Sequence, residues 1–253
     1  MKHLMIPDCQ VKPGVNTDHL EWLGRYIVDK KPDVIINIGD FADMASLSSY
    51  DIGHRSFEGR RYKSDIEATH EAMERLLGPL WEYNAKAYKN HDKRYNPRLV
   101  TCYGNHEHRI TKATDLDAKL EGVLQLSDLK YKEYGWETVE FLKPVVIDGV
   151  AYCHYFPSGV LGRPCTSARA MLNKMHMSCV AGHQQGRDIA YGKRADGRQI
   201  TALIAGSFYT HDEDYLSPLA NNHWRGFYVF HEVEDGGFDE MAVSVNYLQR
   251  KYG

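Results

Sequence analysis

The sequence predicts an α/β fold, and three observations carry that expectation. The chain opens as strand, helix, strand, the unit from which parallel sheets are built. Its apolar runs, such as Val34-Ile35-Ile36-Asn37-Ile38 and Leu99-Val100-Thr101-Cys102-Tyr103, are continuous rather than alternating, as strands covered on both faces require. Polar residues able to bind ligands follow these runs, where open α/β sheets hold their sites. With no repeats and no low-complexity linker in 253 residues, one domain spanning 1–253 is expected.

Residues 2–6 read as a first strand, ending in Pro7-Asp8-Cys9-Gln10. Asn16 or Thr17 caps a helix to about residue 30, with Leu20, Leu23, Ile27 and Val28 on one face. Pro32-Asp33 breaks it, and residues 34–38 form the next strand, followed by Gly39-Asp40-Phe41-Ala42-Asp43. Residues 44–63 are irregular and polar, and a long helical pattern covers 64–89. The insertion at about 44–98 is therefore a candidate lid or substrate wall. Its Arg60-Arg61 pair reads either as a phosphate grip or as a solvated face.

The run at 99–103 leads into Gly104-Asn105-His106-Glu107-His108-Arg109, and 110–120 reads as helix. The second half turns to short strands. Asp148-Gly149 joins 145–147 to 150–153 as a hairpin with a type I′ turn, which ends at His154. A helix over 167–177 and a strand over 178–181 precede Gly182-His183-Gln184-Gln185. Strands are expected at 202–205, at 226–233 and from about 241 to 247.

Composition narrows the function. An apolar share of 43% and a charged share of 26% suit a soluble globular protein. The net charge of −3 argues against a protein that coats nucleic acid by charge alone, although a local basic groove would be hidden in that total. No run reaches the roughly 18 apolar residues of a membrane helix, and the first residues turn polar too soon for a signal peptide, so a cytoplasmic protein is expected. The five cysteines show no Cys-x-x-Cys spacing and read as small packing residues, not as a disulfide framework or a thiolate zinc site.

Five strand ends thus carry Asp8 and Gln10, Asp40 and Asp43, Asn105 and His106, His154, and His183 and Gln185. Carboxylates, amides and imidazoles without thiolates suit divalent cations such as Mn²⁺, Mg²⁺, Fe²⁺ or Zn²⁺. In order and spacing these motifs resemble the signature of the calcineurin-like metallophosphoesterases, which runs Asp-x-His, Gly-Asp-x-x-Asp, Gly-Asn-His-Glu/Asp, a lone His, and Gly-His-x-His. The likeness spans most of the chain, Ala205-Gly206-Ser207 is similar to a Gly-Ser that ends the next strand in some members, and the sequence style is similar to phage-encoded members.

The resemblance implies a four-layer α/β/β/α sandwich of two mixed sheets flanked by helices, and a pair of metal ions about 3.5 to 4 Å apart that activate water as hydroxide. Asp40, Asn105, His154 and His183 would hold the second ion, with Asp40 bridging. The first would use Asp8 and Asp40, but glutamines stand at 10 and 185 where the family has histidines. That site would be weak, favouring an oxygen-preferring ion such as Mn²⁺ or Mg²⁺, or else vacant. His106 would be the general acid and Asp43 its orienting carboxylate. Met44 stands where phosphoprotein phosphatases carry an arginine, which argues against that activity. His108, Arg109, Arg60 or Arg61 would supply the missing positive charge. The implied function is metal-dependent hydrolysis of a phosphodiester or nucleotide-type ester, with a nuclease-like activity or a metal-binding interaction module that has lost turnover as the alternatives.

Overall fold

The computed structural model describes residues 1–50, 52–213, 221 and 223–253. One six-stranded sheet has the order β11-β10-β1-β2-β3-β4. In it β1 (His3–Ile6), β2 (Val34–Asn37), β3 (Arg98–Cys102) and β4 (Glu137–Val139) are parallel neighbours. Strand β10 (Gly226–Glu234) runs antiparallel to β1, and β11 (Gly237–Ser244) antiparallel to β10. The second sheet has the order β5-β6-β7-β9-β8. Its centre, β6 (Val150–Tyr152), β7 (Cys179–Ala181) and β9 (Gln199–Ala205), is parallel, while β5 (Val145–Ile147) and β8 (Arg187–Lys193) are antiparallel edges. The described α-helices are α1 (Asp18–Lys30), α2 (Tyr62–Lys89), α3 (His108–Leu116), α4 (Ala168–Met175) and α5 (Val245–Tyr252), and short 3-10 turns lie between elements.

Strand alternation divides the core into three layers and makes the fold an α/β/β/α sandwich. On β1, Leu4 and Ile6 face α1, α2 and α5, whereas Met5 faces the other sheet. On β9, Leu203 and Ala205 point inward between the sheets, and Ala202 and Ile204 pack under α4. Each central strand therefore has two dry faces, which is why the runs were apolar without a period of two. A polar link also crosses the middle layer. The buried His3 ring lies 2.8 Å from both the Tyr152 hydroxyl and Asp148 Oδ2, so Nε2–H donates to the carboxylate and Nδ1 accepts from the phenol. The hairpin turn has φ of 48° at Asp148 and 84° at Gly149, both positive as a type I′ turn needs. All five cysteines are buried and free.

The structure departs from the expected elements in three places. Strands β4 and β8 went unread because they are short or edge strands whose exposed faces carry Arg, Asp, Glu and Lys. The last strand runs from Gly237 to Ser244 rather than from about 241 to 247. There the Ser244 hydroxyl accepts from the Tyr247 N–H and caps α5, whose Val245 and Leu248 are buried in the layer that includes α1. The helix after the third motif begins at His108 and ends at Leu116, before the short 3-10 turn Ala118–Leu120. No described helix is long and apolar enough to cross a membrane.

His19 on α1 is buried, with Nε2 3.0 Å from the Phe208 carbonyl oxygen, to which it donates. Burial lowers its pKa to about 4. A folded value below the unfolded ~6.5 means that the stability tied to His19 is present above pH 6.5 and lost as the pH falls towards 4, on the order of 3 kcal/mol in all. Thermal melts between pH 7 and pH 4.5 should therefore show a smaller drop in Tm for His19→Gln than for the unmodified chain. Equal drops would exclude this origin.

Candidate metal centre and catalytic cavity

The five polar strand ends meet because small residues let their loops approach. A Cβ at Gly104 would stand 2.0 Å from Asp40 Oδ1, and one at Gly182 would stand 2.4 Å from Asp8 Oδ1. Gly104 and Gly182 are thus where a neighbouring carboxylate passes, and a Cβ at Gly39 would meet the Gly104 backbone at 2.7 Å. The same loops hold left-handed backbone at residues other than glycine, with φ of 44° at Gln10, 53° at Asp40, 51° at Met44, 70° at His183 and 58° at Gln185. Such conformations cost of order 1 kcal/mol each and cluster where a site over-determines the chain.

Glu107 binds two of these loops together. Its Oε2 accepts from the backbone N–H groups of Gly104 at 2.8 Å and Asp40 at 3.0 Å, and its Oε1 from the Ala42 N–H at 3.1 Å and the Tyr131 hydroxyl at 3.3 Å. The carboxylate is fully buried, and the hydrogen bonds it accepts fix the two loops to each other.

Above it, four ligand atoms converge. His154 Nε2 lies 2.9 Å from Asn105 Oδ1 and 3.2 Å from Asp40 Oδ2, and His183 Nδ1 lies 2.7 Å from the same Asn105 oxygen. The Nδ1 of His154 is 3.1 Å from the Ile38 carbonyl, which can only accept, so that nitrogen carries the proton. The lone pair on Nε2 then faces two oxygens that also present lone pairs. A cation or an added proton is needed at that point. The pKa of His154 reflects it: burial opposes the charged form, but the neighbouring Asp40 outweighs burial and raises the value to about 9. His183 moves the other way, to about 4, through burial and the adjacent His154.

Among the described residues, Asp40, His154 and His183 form an acid and imidazole group that could hold a metal ion. With the Asn105 oxygen the donor set is a carboxylate, an amide and two imidazoles, which fits a divalent cation of the Mn²⁺, Fe²⁺, Ni²⁺ or Zn²⁺ kind. The Ile38 carbonyl supplies the outer hydrogen bond that orients a ligating histidine.

The partners expected for another ion are differently engaged. Both oxygens of Asp8 accept from the His183 N–H, at 3.0 and 3.1 Å, and burial above all, with the charge of Asp40 adding, pushes the Asp8 pKa up to about 7. Gln185 Oε1 accepts from the Tyr209 hydroxyl at 2.9 Å. Gln10 and Gln185 line the same cavity as Asp40 and Asn105.

Beside the cluster, His106 Nδ1 lies 2.6 Å from Asp43 Oδ1 and 3.0 Å from its carbonyl oxygen, while Nε2 is 3.7 Å from Asp40 Oδ2. The expected histidine and carboxylate pair is therefore in contact. Burial lowers the pKa of His106, yet Asp40 and the bond to Asp43 outweigh it and the net shift is upward. Asp43 is held well below the usual carboxylate range, because its bond to His106 and the charges of His106, Lys12 and Arg109 overcome burial. Arg109 Nη1 donates to the Asp43 carbonyl at 2.8 Å and lies 3.2 Å from Oδ1, and Lys12 Nζ is 3.4 Å from Oδ2.

These groups open on a cavity of about 500 Å³ whose lining includes three cations, Lys12, Arg60 and Arg109. Two of the expected substrate contacts lie elsewhere. The His108 ring stacks on Phe141 at 4.6 Å, and the exposed Arg61 donates to the Arg60 carbonyl; neither lines the cavity. Sequence neighbours need not share a direction: His108 begins α3 and turns off the His106 side. Sequence reasoning missed Lys12, Ser48, Tyr50 and Glu213 in the lining. Lys12 follows Gln10 by two residues and was legible in principle; nothing local marks Glu213.

No family model matches the chain, and no curated protein matches it. Among solved structures, one that it is similar to is Yfce, a phosphoesterase from E. coli, at 12% sequence identity and a TM-score of 0.37, with 97% of this chain and 100% of that chain covered. A superposition that loose says nothing about chemistry, which rests on the residues alone.

Glu107→Gln would present an amide NH₂ to backbone donors. It should lower stability by about 2 kcal/mol or more in urea unfolding, since each stranded buried donor costs about 1 to 3 kcal/mol. An unchanged midpoint would show that the loops do not depend on this carboxylate.

Proposed function

We propose that the chain is a metal-dependent phosphoesterase of the calcineurin-like kind, acting on a phosphodiester or a nucleotide-type ester. The observation that carries this reading is the convergence of Asp40, Asn105, His154 and His183 on one point beside a carboxylate-oriented histidine, in a cavity that also presents lysine and arginine. In this reading those four residues hold one cation, Mn²⁺ being best suited and Mg²⁺, Fe²⁺, Ni²⁺ or Zn²⁺ the alternatives. Asp8, Gln10, Asp40 and Gln185 hold a second ion weakly, because Asp8 and Gln185 already spend lone pairs on His183 and Tyr209. When bound, such ions lower the pKa of water and neutralise charge on a phosphoryl group.

The protein's own contribution is orientation and proton transfer. Asp43 accepts from the Nδ1–H of His106, so that Nε2, 3.4 Å from Arg109 Nη2, would carry the proton given to the leaving oxygen, and the upward shift of the His106 pKa favours that protonated form. Arg109 and Arg60, which line the cavity, would supply positive charge to the phosphate. Ser48, Tyr50 and Arg60, all from the segment before α2, make part of the insertion at 44–98 a substrate wall, while α2 itself packs on α1. The engaged oxygens of Asp8 and Gln185 favour one rival, a metal-binding interaction module without turnover.

Metal-stripped protein reconstituted with Mn²⁺, Mg²⁺, Ni²⁺ or Zn²⁺ should hydrolyse chromogenic phosphate diesters or monoesters, and Asp40→Asn should not. His106→Asn should lower kcat by about 10² to 10⁴ while Mn²⁺ binding persists. No metal-dependent hydrolysis above the Asp40→Asn background would select the interaction module. Replacing Gln10→His together with Gln185→His should tighten a second transition-metal ion in calorimetric titration. Two tightly held ions in the unmodified protein would contradict the weak site.

A further inference from the structure

The net charge of −3 conceals two opposed regions. Between Asp148 and Asp212 the chain carries seven lysines and arginines but two carboxylates, Asp188 and Asp196, a local charge of +5 that leaves −8 for the remainder. That stretch builds most of the second sheet and its covering helix. Both carboxylates are committed. Asp188 accepts from the Ala168 N–H at 2.7 Å and caps α4, and Asp196 lies 2.6 Å from Arg198 and 3.6 Å from Arg194, offsetting one of their charges.

The basic residues fall along one edge of the molecule. Strand β8 is the outermost strand of its sheet and starts directly after the cavity-lining Gln185. Arg187 stands at that cavity end, its guanidinium over the Trp224 ring at 4.9 Å; Lys193 and Arg194 stand at the other, with Arg198 across the turn into β9. Helix α4 runs alongside in the same direction, since its first residue, Ala168, bonds to Asp188, and a Cβ at Gly192 would meet Leu172 at 2.8 Å. Arg169 and Lys174 on α4 therefore accompany the strand, Lys174 also donating to the Ser158 carbonyl. All six of these cations are exposed, as are Ile189 and Tyr191 between them on β8. Asp235, near Arg198, and Glu240, bonded to Tyr191, bound the track on the side of the first sheet. Seven strand residues extend about 23 Å, the length over which a nucleic-acid backbone presents many phosphates.

We infer that this edge of β8 and α4 binds the phosphate backbone of a nucleic acid and leads it to the cavity. A linear polyanion fits a narrow strip that ends at Gln185 better than a flat anionic surface does, and one made of phosphodiesters offers the bond the cavity is built for. In naming nucleic acid as the substrate class this rests on the phosphoesterase reading; the binding itself does not.

The test is fluorescence anisotropy of a labelled 20-nucleotide DNA, single-stranded and duplex, with the whole chain in EDTA between 50 and 200 mM salt. Binding should weaken steeply with salt. Lys193→Glu/Arg194→Glu should lose at least about tenfold in affinity at 50 mM and flatten the salt dependence by about one to two units of log–log slope. Arg169→Gln/Lys174→Gln, a milder change on the helix, should weaken binding in the same direction and serves if the first variant does not fold. Both should keep the metal-dependent hydrolysis of a small chromogenic diester. Unaltered DNA binding in folded variants, no binding by the unmodified protein at 50 mM salt, or loss of phosphatidylserine-vesicle binding with DNA binding intact would each overturn the inference. DNA binding without any diester hydrolysis would instead remove the phosphoesterase reading and leave the surface standing.

Discussion

The site depends on a buried carboxylate that holds backbone N–H groups of two loops. Glu107 ties the backbone of Asp40 and Ala42, at the end of β2, to that of Gly104, at the end of β3. Parallel strands have no tight turn to set the relation between their carboxyl ends, so loops at neighbouring ends must be registered by something else. Three backbone donors around one carboxylate do this, and they direct Asp40 Oδ2 and Asn105 Oδ1 to the same point. The strain of the left-handed Asp40 is supported by the same bond to its N–H.

The proposed metal donors and the proposed proton donor are consequently one assembly. Asp40 uses Oδ1 to accept from the His106 N–H at 2.9 Å and turns Oδ2 towards His154. His106 in turn is held by Asp43, whose charge is shared with Arg109 and Lys12, and Lys12 continues to the buried Glu213 at 2.6 Å. A change in any of these carboxylates shifts the geometry of the others, so a mutation in the Asp43 group should be read for its effect on metal binding as well as on turnover.

Much of this was legible because each central strand is covered on both faces. Continuous apolar runs marked β1, β2, β3 and β7, and ligand-type residues after them marked the site. Asp40, Asn105, His154 and His183 meet as the order of the motifs implied, and His106 meets Asp43. What escaped the sequence follows from geometry that spacing does not encode. The edge strands β4 and β8 lack an apolar run, Ser244 ends β11 by capping a helix, and His108 points to Phe141 because α3 starts there. Glu213 reaches the cavity from more than 100 residues away in sequence from His106 and Asn105, with no local pattern to announce it. The net charge likewise hid the basic edge, since its +5 is outweighed by the rest of the chain.

The central claim is that the lone pairs of Asp40, Asn105, His154 and His183 face one another because a divalent cation belongs between them. Anomalous diffraction at the manganese edge, from crystals grown with Mn²⁺, tests it most directly. The account predicts a strong peak about 2.0 to 2.3 Å from Asp40 Oδ2, Asn105 Oδ1, His154 Nε2 and His183 Nδ1. A fully soaked crystal with no peak there, or with manganese bound only elsewhere, would contradict it.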